Sequence, residues 1–355
     1  MTVHDAVGQG SGPATSPSSG PGSGQAPQSS QSAATKPSGS LADGPSTKKA
    51  DLIFRSVTIA AGLLVVATIV FIGIELTRQA IPALQANTGS FFGDRWNINV
   101  PSSEMDQFVF GVLDMLRVTV LSSVFALLLA VPVSIGIATF LVQYAPKKLS
   151  RPFSAIIDLL AAVPSIIYGV WGIIVLGPFL QPIAVWLNEN LGWFPLFSSG
   201  NVSITANGTI FVAGVVLAIM ITPIITSMTR ETIRQTPSLH QEAAMALGAT
   251  KWEKIRMTCF PYARSGMIAA SMLALGRALG ETIALMIVLS TAVRPSTWSL
   301  FDGGYTFASR IALDWPYASG DFQRGALIAA GLALFLLTFA VTAAARMVSG
   351  GKVNS

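Results

Sequence analysis

Residues 230–264 read RETIRQTPSLHQEAAMALGATKWEKIRMTCFPYAR and lie between two long apolar runs, near 208–228 and 265–293. The segment is too long for a turn, and its pattern predicts two short helices. Ser238 with Gln241, and Thr250 with Glu253, have the spacing of capping boxes, in which side chains satisfy the free N–H groups of a helix start. Gly248 is placed to end the first helix in the left-handed conformation. Small Ala243, Ala244 and Ala246 with Gly248 form a knob that fits closely into a groove. The stretch is expected to be a docking element on one face of a membrane.

The flanking sequence says which face. The chain has 355 residues, of which 51% are hydrophobic and 11% charged, with mean hydropathy +0.59; soluble domains carry roughly a quarter charged residues. A spanning helix needs about 20 mostly apolar residues, and six runs qualify, near 56–74, 118–142, 156–180, 208–228, 265–293 and 326–348. Lys48, Lys49 and Arg55 precede the first run, Lys147, Lys148 and Arg151 follow the second, and six basic residues fill 230–264. Basic residues favour the cytoplasmic side, so these segments and both termini are expected there. The opposite loops hold Trp96, Trp186, Trp193, Trp298 and Trp315, as an outer aromatic belt would. The formal charge of +5 is scattered over these short segments, so nucleic acid is not an expected partner. Residues 1–47 are Gly, Ser, Pro, Gln and Ala with few large apolar side chains, and are expected to be a disordered tail. The tail lacks the charged start and short apolar core of a signal peptide, so the first run is expected to stay as an anchor. Residues 48–355 form the membrane domain.

Three runs carry proline: Pro132, Pro164 in AAVPSIIYGVWG, and Pro223 in MITPIITSM. Each leaves a carbonyl one turn back without its usual donor. Beside Pro164, the hydroxyls of Ser165 and Tyr168 are candidates to serve the distorted backbone and to sit near a polar route. Ordinary helix packing explains such kinks equally well.

The run near 265–293 contains LALGRALGETIALMIVLS, residues 273–290, with Arg277 and Glu281 in its middle. One mid-membrane charge costs roughly 2.5–3.5 kcal/mol on insertion scales. On a continuous helix positions i and i+4 share a face, so a mutual salt bridge is one explanation. The other is functional. Gly276, Gly280 and Ala284 permit close helix approach and turn the polar face inward, and an inward guanidinium presents a donor fork matching a tetrahedral oxyanion. Arg277, Glu281, Ser165 and Tyr168 are the candidate pathway residues.

Covalent chemistry is not expected. Cys259 is the only cysteine, His4 and His240 are far apart, and no cluster reads as a nucleophile with its base or as a metal site. The sequence has no G-x-x-x-x-G-K-[ST] loop to cradle ATP phosphates. No catalytic residue, metal or cofactor is assigned, and ATP is expected on a partner subunit.

QEAAMALGATKWEKIRMTCFP resembles the EAA loop of ATP-binding-cassette importer permeases, with Glu242, Ala243, Ala244, Gly248 and Pro261 at that family's positions. Thr258 and Phe260 stand where the family usually has isoleucine and leucine. The resemblance implies an all-α membrane protein with six transmembrane helices and the type I importer permease fold. It makes 230–264 the loop that couples to a separate ATPase through Glu242, Ala243, Ala244 and Gly248. GRALGETIALMIVLS and LLAAVPSIIYGVWG are similar to the PstC family, permease subunits of bacterial phosphate-specific importers. That resemblance implies a bacterial plasma-membrane location and a transport role for Arg277 and Glu281. It also implies a PstA-like second permease, two PstB-like ATPases, a PstS-like binding protein and phosphate as partners. Two alternatives stay open: a permease for another oxyanion such as sulfate or molybdate, and a secondary transporter using the Arg–Glu pair as a proton relay.

Overall fold

A computed structural model describes residues 45–100, 102–205, 207–292 and 294–350. The expected tail of residues 1–47 therefore lies outside the described residues except for its last three positions. The chain forms two units, Met1–Leu63 and Leu64–Ser355. What is described of the first is the opening of helix α1 (Pro45–Ala86), where Leu52, Phe54 and Leu63 are exposed.

In the second unit α1 leads to a hairpin of β1 (Trp96–Asn97) and β2 (Val109–Phe110), antiparallel with Trp96 opposite Phe110. Next come α2 (Leu113–Thr139), a π-helical turn (Phe140–Tyr144), α3 (Lys147–Ala161), and α4 (Ser165–Trp171) running through a second π turn into α5 (Gly177–Leu191). The chain continues with α6 (Ile210–Arg234), α7 (Ser238–Ala246), α8 (Lys251–Lys254), a third π turn, and α9 (Phe260–Leu279). Helices α10 (Ile283–Val288), α11 (Phe307–Asp314) and α12 (Asp321–Gly350) complete it.

Among the described residues, five helices are long and apolar enough to cross a membrane: Asp51–Ala86, Leu113–Tyr144, Ser165–Leu191, Ile210–Arg234 and Asp321–Met347. Two expected spans differ from their sequence reading. The third, expected near 156–180, begins only after Pro164. Proline has no N–H and pushes Val163 away from helical backbone angles, so residues up to Ala161 belong to the separate helix α3. That helix buries no side chain and carries Lys147, Lys148 and Arg151 with Phe153, Ile156 and Leu159, an amphipathic composition suited to the membrane–water boundary. The run at 265–293 is not one helix. Helix α9 stops at Leu279 and α10 starts at Ile283. The Glu281 N–H reaches back only three residues, to the Ala278 carbonyl at 3.3 Å, and the Thr282 hydroxyl donates to the Gly280 carbonyl at 3.2 Å. Side-chain and short-range bonds have replaced the regular ladder.

Helix α6 is the central post: 72% of its most apolar window is buried, against 33% for α2. Apolar contact alone does not drive association in lipid, so close approach at small residues must. Helix α2 meets α6 through Ser122, Ala126, Ala130 and Ser134; the Ser134 hydroxyl donates to the Thr222 carbonyl at 3.1 Å, and the Phe125 ring fills the space over Gly214. The segment between α10 and α11 closes the start of α6. The Ile210 and Phe211 N–H groups, lacking helical partners, donate to the Asp302 and Leu300 carbonyls, each at 2.7 Å. Asp302 is fully buried, and its carboxylate accepts from the backbone N–H groups of Asn201, Thr297 and Ser299 and from the Ser296 hydroxyl. Trp96, expected in an aromatic belt, instead donates its indole N–H to Asp314 at 2.8 Å; Trp186, Trp193, Trp298 and Trp315 are exposed.

Candidate functional site

Arg277 lies in the last turn of α9, and its side chain lines a cavity of about 730 Å³ walled by α6, α9 and α12. The walls are mostly apolar, with Ile224, Met228, Met272 and Leu273, and include Arg346 of α12; no carboxylate lines the cavity. Arg277 makes no ion pair among the described residues. Glu281 is buried, and its Oε1 accepts the N–H of Ala284 at 3.2 Å, capping the first turn of α10. The two side chains, expected on one face of a continuous helix, are thus divided by the break and serve different elements. The mutual salt bridge is not formed.

Helix α4 meets α10 beside that break. A methyl group at Gly169 would stand 2.9 Å from the Cα of Ala284, and one at Gly172 would stand 2.5 Å from Val216 Cγ2 and 3.4 Å from Val288 Cγ2. These glycines allow α4 to lie directly on α10. Tyr168 is buried and donates its hydroxyl to the Leu160 carbonyl at 2.8 Å. That carbonyl lies four residues before Pro164, which has no N–H to give it, and it also accepts the Val163 N–H at 3.3 Å. Tyr168 is therefore a strut across the Pro164 break. Ser165 is half-buried in the first turn of α4. Neither Ser165 nor Tyr168 lines the Arg277 cavity.

At the far end of α9 the loop of residues 230–264 takes its expected shape with one change. The Thr250–Glu253 capping box is complete: the Thr250 N–H donates to Glu253 Oε2 at 2.8 Å and the Glu253 N–H to Thr250 Oγ1 at 3.3 Å. The Thr250 backbone bond, reinforced by its hydroxyl, holds the Glu253 carboxyl below its ordinary range. The Ser238–Gln241 box does not form. Pro237 occupies the cap position, and Gln241 donates its side-chain amide to the Thr236 carbonyl at 3.1 Å. Gly248 has φ +84°, the left-handed conformation expected of it. Helix α7 buries no side chain; Glu242, Ala243 and Gly248 are exposed, Ala244 half-buried, and Leu247 is 89% exposed. Its support is firm by contrast, because Ile255, Cys259 and Ala263 pack with Ile233 of α6 and Ala138 of α2 in a buried cluster. The second predicted helix is the start of the long α8–α9 rod.

Two features escaped the sequence reading. Arg346 reads in sequence as a basic residue ending an apolar run, which signals topology and not a cavity wall. Asp158, inside the expected third span, ties α3 to α6: it accepts from the Ser227 hydroxyl at 2.5 Å and pairs with Arg230 at 3.2 Å. The Ser227 bond, then Arg230, holds the Asp158 carboxyl below its ordinary range.

Comparison with known proteins accounts for this architecture. The family model described as binding-protein-dependent transport system inner membrane component matches residues 130–351. The phosphate transport system permease protein PstC 2 of Mycobacterium tuberculosis is 56% identical over 320 residues, covering 90% of this chain and 98% of that one. The PstC protein of Mycobacterium leprae is 56% identical over 87% of this chain and 96% of its own length. That of Mesorhizobium japonicum is 40% identical over 83% and 89% respectively. With its long apolar helices, its exposed α7 and its broken, arginine-bearing α9–α10 segment, the chain belongs to the binding-protein-dependent transport system inner membrane components, within the PstC branch of phosphate transport permeases.

Proposed function

We propose that this chain is the permease subunit of an ATP-driven importer of inorganic phosphate and forms the translocation path with a second, PstA-like permease. Kinship with the phosphate transport permeases carries the reading, and the site is chemically apt. Arg277 turns a guanidinium into an apolar-walled cavity that holds no carboxylate to neutralise it. A guanidinium in such surroundings favours a tetrahedral oxyanion through paired charge-assisted hydrogen bonds.

The chain itself makes and breaks no covalent bond and needs no cofactor. A PstS-like protein delivers phosphate outside the bacterial plasma membrane. Two PstB-like ATPases bind ATP inside, where both termini and α7 lie by the distribution of basic residues. Closure of the ATPases pushes on α7 through Glu242, Ala243, Ala244 and Gly248. The rigid α8–α9 rod carries that movement toward Arg277, about 25 Å along the helix from Phe260 at 1.5 Å per residue. The break at Gly280–Thr282 lets α9 move while α10 stays packed on α4. Phosphate uptake into vesicles, with each partner omitted in turn, tests the reading. Uptake should require all four kinds of subunit; uptake without the ATPases would indicate a secondary transporter, and preference for sulfate or molybdate another oxyanion importer.

A further inference from the structure

Arginines near the end of a membrane helix commonly snorkel to the headgroups, and Arg346, in the last two turns of α12, has the sequence position for that. Its surroundings in the fold are different. The Arg346 side chain lines the same cavity as Arg277, from the opposite helix. Among the lining side chains the only other polar one is Thr342, whose hydroxyl already donates to the Thr338 carbonyl at 2.7 Å. Neither arginine has an ion-pair partner among the described residues. Both arginines are exposed where they line this mostly apolar space, and two like charges on one wall favour an anion lying between or moving past them. The chain direction also ranks them. Arg277 lies in the last turn of α9, the end away from the docking loop, and Arg346 in the last two turns of α12; on the proposed topology α12 runs back toward the side of the docking loop, so its last turns are the ones nearer that side.

We propose that Arg346 is a second oxyanion contact of the permease, which receives phosphate from Arg277 on its way to the α7 side of the membrane. The proposal rests on the phosphate reading above. Since the anion there is leaving toward water, Arg346 acts on the exit step and sets the maximal rate more than the apparent affinity.

The test uses the assembled transporter, with both permeases, the ATPases and the binding protein, in proteoliposomes. Cys259 is replaced by Ser, and Thr342→Cys supplies the one thiol of this chain, whose modification is read on this subunit after separation from its partners. Arg346→Gln should assemble normally and lower maximal phosphate uptake by about tenfold or more, the loss expected for one charge-assisted hydrogen bond, with little change in half-saturating phosphate. An anionic methanethiosulfonate should modify the introduced thiol faster than a cationic one. Inorganic phosphate should slow that reaction with Arg346 present and leave it unchanged in Arg346→Gln. Normal uptake by Arg346→Gln, or thiol modification indifferent to every oxyanion tried, overturns the proposal. Protection and uptake by sulfate or molybdate in place of phosphate would overturn the phosphate reading and leave the second arginine contact standing.

Discussion

Helices α6 and α9 are neighbours in sequence, antiparallel partners in the fold, and alike in composition, yet one is an unbroken post and the other ends in the middle of its apolar run. Proline does not separate them, since Pro223 lies inside α6 and the helix continues through it. What separates them is where the backbone groups find partners. Pro223 withholds a donor only from the Ile219 carbonyl, and the turn around it is braced from both sides: the Thr222 hydroxyl bonds back to the Ala218 carbonyl at 2.7 Å, and Ser134 of α2 donates to the Thr222 carbonyl. At the end of α9, Gly280 offers no side chain, while Glu281 and Thr282 take the Ala284 N–H and the Gly280 carbonyl for themselves. A helix in lipid stays whole where neighbouring contacts brace it and breaks where its own side chains compete with its ladder.

The largest effect that bears on this contrast is on transport. Arg277→Gln with Glu281→Gln should insert and assemble but lose phosphate uptake by roughly two orders of magnitude, as expected when a bidentate charged contact is removed. Because the two residues serve different elements, their effects on thermal stability should add within about 0.5 kcal/mol. Single variants far less stable than the double would restore the mutual salt bridge. Arg277→Lys should also transport poorly, since an ammonium lacks the fork.

A bulky residue on α7 comes next. Ala244→Trp should leave α9 and its cavity folded while uncoupling ATP hydrolysis from uptake by about tenfold, a loss of roughly 1.4 kcal/mol of coupling at the interface. Wild-type transport by an assembled Ala244→Trp complex would remove α7 from the coupling route.

Packing at the break gives smaller shifts of opposite sign. Gly169→Val drives a side chain into the backbone of α10 and should destabilise by about 1–3 kcal/mol. At Gly276 nothing lies within 4 Å of an added methyl, so Gly276→Ala should stabilise α9 by about 0.5–1 kcal/mol through lost backbone entropy. Thermal unfolding in detergent reads both, and equal destabilisation by the two changes would mean that α9 is packed as tightly as α4.

The smallest effect is a pH dependence at the start of the α8–α9 rod. The Glu253 carboxyl titrates below its ordinary range because the charged form accepts the Thr250 bonds. Its contribution is thus complete above the ordinary carboxylate pKa, shrinks as pH falls below it, and is gone once pH passes the lowered value. Hydrogen exchange of residues 250–256 should be slower in the native chain than in Thr250→Ala at neutral pH, with the gap closing as pH falls below the ordinary carboxylate range. A gap that persists in acid would mean the cap does not depend on the carboxylate charge.

Much of this was legible in the sequence where the deciding physics is local. Apolar length announced the membrane helices, the Thr250–Glu253 spacing announced a capping box, and Gly248 marked a left-handed turn. Ser238–Gln241 misled because Pro237, one residue earlier, took the cap position. The break after Gly280 was hidden because hydropathy averages over Glu281 and Thr282, whose hydrogen bonds decide it. Arg346 was hidden because a sequence shows that a residue ends an apolar run and not what faces its side chain.

By itself the sequence determined that this chain is a polytopic membrane protein with a short helix-forming loop between two apolar runs and an arginine within an apolar run. Hydrophobic length, charge bias and capping each depend on residues within a turn or two of one another. Only the tertiary structure decided that Glu281 caps α10 instead of pairing with Arg277, that Tyr168 spans the Pro164 break, and that Arg277 and Arg346, 69 positions apart, line one cavity. Those outcomes depend on which helix end supplies the free carbonyl or N–H and which helices stand side by side, and no local pattern carries that information.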